Sequence, residues 1–148
     1  MAITSALTDA IRQVAAEAMA PSAATIKCIL IKVGAAGTYG PAYSTAYPGA
    51  GSFADEVASG LGYTQGGATL ASRSAGVLTT SYGWVDYADV TWTVAAGQTL
   101  SAIGCGFWDT TNSRWIGFMD FGGTKTVSDP GTFTVNIPGD GGSGGFRV

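Results

Sequence analysis

Residues 99–121 read TLSAIGCGFWDTTNSRWIGFMDF, two apolar runs separated by the polar tetrapeptide TTNS. The runs Thr99–Asp109 and Arg114–Phe121 predict two strands, and the tetrapeptide between them predicts a hairpin turn. Gly104 and Gly106 in the first run indicate a bulge or a close approach of the backbone to a neighbouring group. The stretch therefore predicts an antiparallel β-hairpin.

Further strand signals lie on both sides of this hairpin. Residues 25–33 (TIKCILIKV) are rich in β-branched side chains, and residues 84–94 (WVDYADVTWTV) end in an alternating apolar pattern. Residues 131–138 alternate Phe, Val and Ile with Thr and Asn, while residues 69–73 and 77–81 give weaker strand signals. About seven short strands with regularly spaced turns predict a mainly β chain, a single β-sandwich domain of jelly-roll-like type.

Two helices are expected beside the strands. Residues 3–20 have helical spacing, and Pro21 ends the segment because it disfavours helical angles in the preceding residue. We expect this helix either to cover its own sheet or to reach a neighbouring subunit. A second, short helix is predicted from Ser52, its cap, to Gly60, its stop. The apolar face of the first helix comprises Ile3, Leu7, Ile11, Val14 and Ala18.

The composition divides the chain into three segments. Residues 1–21 form the predicted helix and assembly arm, and residues 22–138 form the predicted β-sandwich. Residues 139–148 (GDGGSGGFRV) form a glycine-rich tail that we expect to be flexible. The tail can also dock against a neighbouring chain through Phe146.

The chain is poor in charge. Charged residues make up 11% of its 148 residues and hydrophobic residues 46%, with a net charge of −3. Since an average domain has about 25% charged residues, we expect contacts with other chains to cover much of the surface. The few scattered basic residues argue against nucleic acid as a partner, and no apolar run is long enough to span a membrane. The N-terminus lacks signal-peptide features, which predicts synthesis in the cytoplasm.

The residue types that carry common enzyme chemistry are sparse. The chain has no histidine, which excludes His-dependent nucleophilic sites and most zinc sites. Residues 62–67 (GYTQGG) resemble a phosphate cradle, but a predicted strand rather than a helix follows them, so we interpret them as a turn with Gly66 and Gly67 at positive φ. Asp109 and Asp120, which flank the hairpin, are a weak candidate hydrolase pair. We therefore predict a protein that is not an enzyme and has no cofactor or metal.

Two cysteines, Cys28 and Cys105, lie in predicted strands. We interpret both as small buried apolar residues, with a bridge between them as the alternative.

The aromatic residues are the best candidates for a binding surface. Tyr39, Tyr43 and Tyr47 lie in a Gly/Pro-rich loop and are predicted interface residues. Trp92 alternates with valines, so packing in the core is its expected role. A sugar-stacking platform is the alternative interpretation of the aromatic set Tyr39, Tyr43, Tyr47, Tyr63, Tyr82, Tyr87, Trp84, Trp92, Trp108 and Trp115.

Several segments together resemble a group of small virion structural proteins of tailed bacteriophages. That group has a GY-x-x-GG-x-x-L segment, which matches Gly62–Leu70, and a D-x-x-x-x-W strand, to which Asp86 or Asp89 with Trp92 corresponds approximately. It also has a late D-F-G-G segment, matching residues 120–123, followed by a G-x-F strand that begins at Gly131. The likeness covers roughly residues 25–138, whereas the alanine-rich N-terminal helix is less typical of the group.

The resemblance implies a non-enzymatic accessory part of a phage particle. Such proteins commonly assemble as homotrimers, which suits decoration or cementing of the capsid at local threefold points. The implied partner is the major capsid protein or another virion protein, and the implied location is the virion, after synthesis in the host cytoplasm. The alternative is a tail or head-fibre module that binds host surface glycans. The expected interface residues are those of the helix, the tyrosine-containing loop and the tail: Ile3, Leu7, Ile11, Val14, Tyr39, Tyr43, Tyr47 and Phe146.

Overall fold

A computed structural model describes residues 23–40, 42–78, 82–137 and 146–147. It contains β1 (Ile26–Ile31), β2 (Ala68–Thr69), β3 (Ser74–Leu78), β4 (Tyr82–Asp86), β5 (Val90–Thr93), β6 (Thr99–Asp109), β7 (Arg114–Ser128), β8 (Thr132–Val135) and β9 (Phe146–Arg147). All strand pairs are antiparallel, and these residues contain no helix. The prediction of a mainly β chain is therefore confirmed. By its internal contacts the chain divides into two compact units.

The larger unit, residues 24–70 and 89–136, contains a four-stranded sheet in the order β2-β1-β6-β7. Strand β1 is buried almost throughout and lies between β2 and β6, with Cys28 opposite Phe107 and Leu30 opposite Cys105. The predicted hairpin is confirmed, since β6 pairs with β7 from the Asp109–Arg114 register onward. This hairpin and β1 form the frame on which the candidate site is built.

The β6–β7 ladder is irregular at two places. Between Phe107 and Trp108 the register skips Ile116, so β7 has one extra residue there.

The predicted close approaches at Gly104 and Gly106 are confirmed. A Cβ at Gly104 would lie 2.6 Å from the carbonyl oxygen of Met119, and one at Gly106 would lie 2.5 Å from the Trp115 ring. Only glycine lets the two strands lie so close together.

The second irregularity lies at Gly122–Gly123, where two adjacent glycines suggest a turn that would end the strand. Strand β7 continues to Ser128, because its pairing with β6 resumes at Lys125 opposite Ala102. Four residues of β7 lie between Asp120 and Lys125, whereas only Ile103 of β6 lies between their partners Gly104 and Ala102. Both glycines have positive φ, which accommodates the surplus residues.

A second ladder in the larger unit pairs β5 with β8. Val90 lies opposite Val135 and Trp92 opposite Phe133, and all four side chains are buried. The threonines between them are exposed, as the alternating sequence predicts. The core position expected for Trp92 is confirmed.

The smaller unit contains the three-stranded sheet β3-β4-β9. The single strand predicted for residues 84–94 is wrong, because β4 and β5 belong to different sheets. Residues 87–89 lie between these strands, and the amide of Ala88 donates to the carbonyl oxygen of Ala71 at 2.9 Å instead of extending either ladder.

The predicted short helix at Ser52–Gly60 is wrong. The backbone of this segment bonds mainly along β1 and the residue after it: Lys32 N donates to Asp55 O at 2.9 Å, and Val57 N donates to Leu30 O at 3.1 Å. Within the segment, Glu56 N donates to Phe53 O at 3.0 Å, which is a turn and not a helix. Glu56 also forms an isolated antiparallel bridge with Ile31. Since these groups are used by a strand, they are not available for helical hydrogen bonds.

Other predictions fall outside the described residues. The N-terminal helix and its face of Ile3, Leu7, Ile11 and Val14 lie there, as do residues 139–145 and 148 of the tail. The described part of the tail, β9, pairs with β4 through Val85 opposite Phe146. The predicted segment bounds and the flexibility of the tail stay predictions. No helix in the described part of the chain is long and apolar enough to cross a membrane.

Candidate functional site

The segment that replaces the predicted helix carries two buried carboxylates, Asp55 and Glu56. Glu56 Oε1 accepts hydrogen bonds from the Tyr63 hydroxyl and from the Gly66 amide, both at 2.6 Å. Its Oε2 accepts one from the Tyr47 hydroxyl at 2.8 Å. We call these four residues (Glu56, Tyr47, Tyr63 and Gly66) the Glu56 cluster. A buried carboxylate is tolerated here because three donors replace water.

Burial and the neighbouring carboxylate change the acidity of these tyrosines. Desolvation, followed by the hydrogen bond to Glu56, raises the pKa of both Tyr63 and Tyr47 far above the ordinary tyrosine value. Both hydroxyls therefore stay protonated and act as donors. The Glu56 cluster fastens two loops to β1, since the Tyr63 hydroxyl also accepts from Leu30 N at 3.3 Å.

Asp55 holds the start of a neighbouring loop. It accepts from the Tyr39 hydroxyl at 2.6 Å and from the amides of Ala36 and Gly37 at 3.0 and 2.7 Å. The Tyr39 bond lowers the pKa of Asp55 despite its burial, and the two amides and Lys32 add to that effect. Tyr39 in turn has its pKa raised by burial and by Asp55.

The turn prediction for residues 62–67 is confirmed. Gly66 and Gly67 have φ values of +97° and +69°, and a Cβ on Gly67 would lie 2.2 Å from the carbonyl oxygen of Cys28. The turn supplies the Gly66 amide to a carboxylate of the chain itself, Glu56, rather than to a phosphate.

The proposed hydrolase pair is not brought together. Asp109 lies opposite Arg114 and Asp120 opposite Gly104, so the two carboxylates are five positions apart along β6. At about 3.4 Å per residue this is roughly 17 Å, beyond the spacing of a glycosidase pair.

Asp109 instead organises the hairpin turn. It accepts from the amides of Thr111 and Asn112, from the Asn112 side chain at 2.7 Å and from Arg114 Nε at 3.4 Å. Burial alone would raise the pKa of Asp109, but these hydrogen bonds lower it below the ordinary value. In the part of the chain that the structure describes, no group of three or more His, Cys, Asp or Glu side chains can hold a metal ion.

Both cysteines are buried and present as free thiols, which confirms their interpretation as small core residues. They lie on neighbouring strands, and hydrogen bonding with Cys105, with burial, raises the pKa of the Cys28 thiol. The Cys28 thiol is therefore not an activated nucleophile.

The three predicted interface tyrosines lie in one loop, residues 39–40 and 42–47, which we call the tyrosine loop. Tyr39 and Tyr47 are tied to Asp55 and Glu56, whereas no hydrogen bond anchors Tyr43 to either acid. The loop packs on β6 and β7, with the Trp115 indole donating to Thr45 O at 2.9 Å. Phe146 lies in β9, in the smaller unit, and its role as a contact residue stays a prediction.

From the sequence, Tyr39, Tyr43 and Trp115 were named within the larger candidate sugar-stacking set, but Phe118 and the surface that these residues form with it were missed. Tyr39, Tyr43, Trp115 and Phe118 form a contiguous layer of half-buried rings, with centroids 4.9 Å apart for Trp115–Phe118 and 5.3 Å for Tyr39–Phe118. We call these four side chains the aromatic face. The extra residue Ile116 puts Trp115 and Phe118 on the same side of β7, which simple alternation does not predict.

Two open depressions border the aromatic face. One, of about 390 Å³, is lined by Tyr43, Trp115 and the β7 backbone, and the other, of about 320 Å³, by Ile31, Ile103 and Gly104. Tyr39, Phe118 and Asp120 line both. Asp120 is exposed and accepts from the Gly122 amide at 2.9 Å. The face therefore combines aromatic rings with one accessible carboxylate.

Comparison with protein-family models, with characterised proteins and with solved structures finds no match to this chain.

Proposed function

We propose that this protein is a non-enzymatic structural component of a tailed-bacteriophage virion that assembles as a homotrimer and decorates or cements the capsid. The observation that carries the proposal is the free edge of β7. This strand is 15 residues long and lies at the end of its sheet, pairing only with β6 among the strands that the structure describes.

A long free edge exposes unpaired amide and carbonyl groups that another strand can bind. Natural monomers protect such edges with charged residues, whereas β7 has only Arg114, Asp120 and Lys125 among its 15 residues. In a chain with 11% charged residues, pairing or packing along this edge by another copy is the most direct means of covering it.

The buried acids support a structural role. Asp55, Glu56 and Asp109 all accept several hydrogen bonds from the chain itself, which use most of their acceptor capacity. Their donors are backbone amides and side chains that fix loops on the sheet. Carboxylates engaged in this way stabilise a rigid building block.

For the fold, we infer that the β5–β8 ladder packs on the four-stranded sheet as the second layer of a β-sandwich with a jelly-roll-like path. Ring contacts support this arrangement within the larger unit. Tyr63 lies 5.6 Å from Trp92 of β5, and Phe121 of β7 lies 6.1 Å from Phe133 of β8, both measured between ring centroids.

In the proposed mechanism the trimer binds assembled capsid more tightly than free capsid subunits, so it stabilises the assembly by its binding free energy. Its partner is the major capsid protein or another virion protein. The resemblance of residues 62–70 and 120–133 to phage virion proteins directs the proposal to the virion rather than to another assembly.

Light scattering after size-exclusion chromatography tests the assembly. We expect a mass about three times that of the 14.9 kDa chain. Ile116→Lys adds a charge to the free edge and is expected to shift the mass toward that of a monomer. Val33→Lys is the matched control, because Val33 is 48% exposed and lies outside β7.

The virion assignment needs a separate measurement, mass spectrometry of purified phage particles, in which the protein should be present in a fixed ratio to the capsid protein. A wild-type protein that is monomeric at high concentration and absent from particles would overturn the proposal.

A further inference from the structure

We propose that the aromatic face binds a neutral saccharide. This inference goes beyond the assembly role. It assigns a ligand to the aromatic face, and another strand can pair with the free edge of β7 without using that face. It rests on the ring layer, the single charged side chain beside it and the two depressions.

The four rings present a preformed stacking surface. Tyr43 lies 5.5 Å from Phe118 and 6.4 Å from Trp115, and Trp115 packs in turn on Trp108 at 5.1 Å, all measured between ring centroids. These contacts hold the rings in place, so little conformational entropy is lost when a ligand binds. Aromatic faces pack well against the C–H faces of sugar rings, since both surfaces are apolar and flat.

Asp120 supplies the polar recognition. An ionised carboxylate has about four acceptor sites and no donor, so its partner must donate through O–H or N–H groups. The only hydrogen bond described for it comes from the Gly122 amide, which leaves acceptor capacity for a ligand. Sugar hydroxyls are donors of this kind and stand beside the C–H faces that the rings contact.

The charge of the surface favours a neutral ligand. Among the residues that line the two depressions, Asp120 is the only charged one. A phosphorylated, sulfated or sialylated ligand would meet a like charge without a basic partner. The four rings do not share one plane, since Tyr43 stands at 87° to Phe118 and at 68° to Trp115, so a ligand contacts ring faces of different orientation.

The size fits a short oligosaccharide. The depressions of about 320 and 390 Å³ are each at the lower end of the range for small-ligand sites. They lie on either side of the Tyr39–Phe118 ring pair, with Asp120 at both. Gly40 and Gly117 lack side chains that would fill the second depression. A chain of two or more sugar units crossing the ring pair would occupy both.

Isothermal titration calorimetry of the full chain tests the proposal. The probes are neutral tetrasaccharides of glucose, galactose, mannose or N-acetylglucosamine, with a sialylated and a sulfated tetrasaccharide as charged comparators. We expect at least one neutral probe to bind and neither charged comparator to bind more tightly. Tyr43→Ala should raise its Kd by about fivefold or more through the lost ring contact.

Two further variants make the test specific. Asp120→Asn keeps the shape but replaces acceptor capacity with a donor, and it should raise the Kd several-fold. Phe121→Ala removes a ring of the same strand that contacts Phe133 of β8, and its Kd should equal that of the wild-type chain. Circular dichroism checks that each variant is folded; if Tyr43→Ala unfolds, Asp120→Asn decides.

The proposal is overturned if no neutral probe binds, if a charged comparator binds best, or if Asp120→Asn binds as wild type does. If Tyr43→Ala changes the oligomer mass and no saccharide binds, the aromatic face is an assembly contact and the saccharide proposal fails. The assembly proposal stands in that case, since its own test uses Ile116→Lys and the oligomer mass.

Discussion

The Glu56 cluster and the aromatic face lie against the same sheet, but the polar groups of the first are used within the chain, whereas those of the second are accessible. In the cluster, Glu56 is 3% exposed and accepts three short hydrogen bonds from the chain itself. At the aromatic face, the rings are half-buried and the one carboxylate, that of Asp120, is exposed. The tyrosine loop connects the two regions, with Tyr47 in the first and Tyr43 in the second.

This difference distinguishes groups that stabilise the fold from groups that can bind a partner. Groups whose hydrogen-bonding capacity is used within the chain stabilise the fold and have none left for a partner. Groups that remain accessible on a rigid support contribute little to folding and are available for binding. Substitutions in the Glu56 cluster should therefore change the free energy of unfolding, whereas loss of the Tyr43 hydroxyl or of the Asp120 carboxylate at the aromatic face should leave it nearly unchanged.

The largest effect is expected for Glu56→Ala. The substitution leaves the hydroxyls of Tyr63 and Tyr47 and the amide of Gly66 without their acceptor in a buried place. Each unsatisfied group costs about 1–3 kcal/mol, so we expect the free energy of unfolding to fall by about 3–5 kcal/mol. Urea denaturation measures it.

The control for this change is Gln98→Ala, which removes an exposed polar side chain of the same unit, outside the Glu56 cluster, and should cost no more than about 0.5 kcal/mol. A similar loss for both variants would contradict the special role of the Glu56 cluster.

Gly67→Ala tests the turn that brings the Gly66 amide to Glu56. Gly67 and Gly97 have the same φ of +69°, but a Cβ on Gly67 would meet Cys28 O at 2.2 Å, whereas one on Gly97 meets nothing within 4 Å. Gly97→Ala should therefore cost only the backbone strain, about 1 kcal/mol. Gly67→Ala should cost about 1–3 kcal/mol more, because the strand or the turn must move.

Thermal unfolding of the two alanine variants side by side measures this difference. Equal melting temperatures would show that the turn relaxes without disturbing β1, and the steric argument would be wrong.

The parts of the fold that sequence reasoning predicted are those set by local periodicity. Strand β8 alternates Phe133 and Val135 with threonines, and the polar TTNS segment between two apolar runs marks the hairpin. The turn at Gly66 and Gly67 is predictable too, because positive φ is a local demand that glycine meets. Tyr39, Tyr43 and Tyr47 were identifiable as a group from their Gly/Pro-rich context.

The errors have long-range causes. The segment from Ser52 to Gly60 has the cap and stop of a helix, but its carboxylates and backbone bond to groups outside the segment, namely Tyr39, Tyr63 and β1. The place of Phe118 beside Trp115 was missed because the extra residue Ile116 reverses the alternation between them. No local pattern around these residues indicates that β7 has an extra residue there.

The smallest expected effect compares two hydroxyls of the tyrosine loop. Tyr47→Phe removes the donor to Glu56 Oε2 at 2.8 Å and keeps the ring contacts with Phe53 and Trp108. Since Tyr47 is only partly buried, water replaces part of this bond, and we expect a loss of about 1 kcal/mol in the free energy of unfolding.

Tyr43→Phe is the matched variant in the same loop. It keeps the ring on Phe118 and Trp115, and its hydroxyl bonds to neither Asp55 nor Glu56, so we expect a change within about 0.5 kcal/mol. Urea denaturation of both variants in one buffer gives the difference. If Tyr43→Phe cost as much as Tyr47→Phe, the Tyr43 hydroxyl would itself be part of the fold, and the aromatic face would be less free for a ligand than its exposure indicates. If only Tyr47→Phe lowers the free energy of unfolding, the boundary between the stabilising and the binding region lies within residues 43–47 of the tyrosine loop.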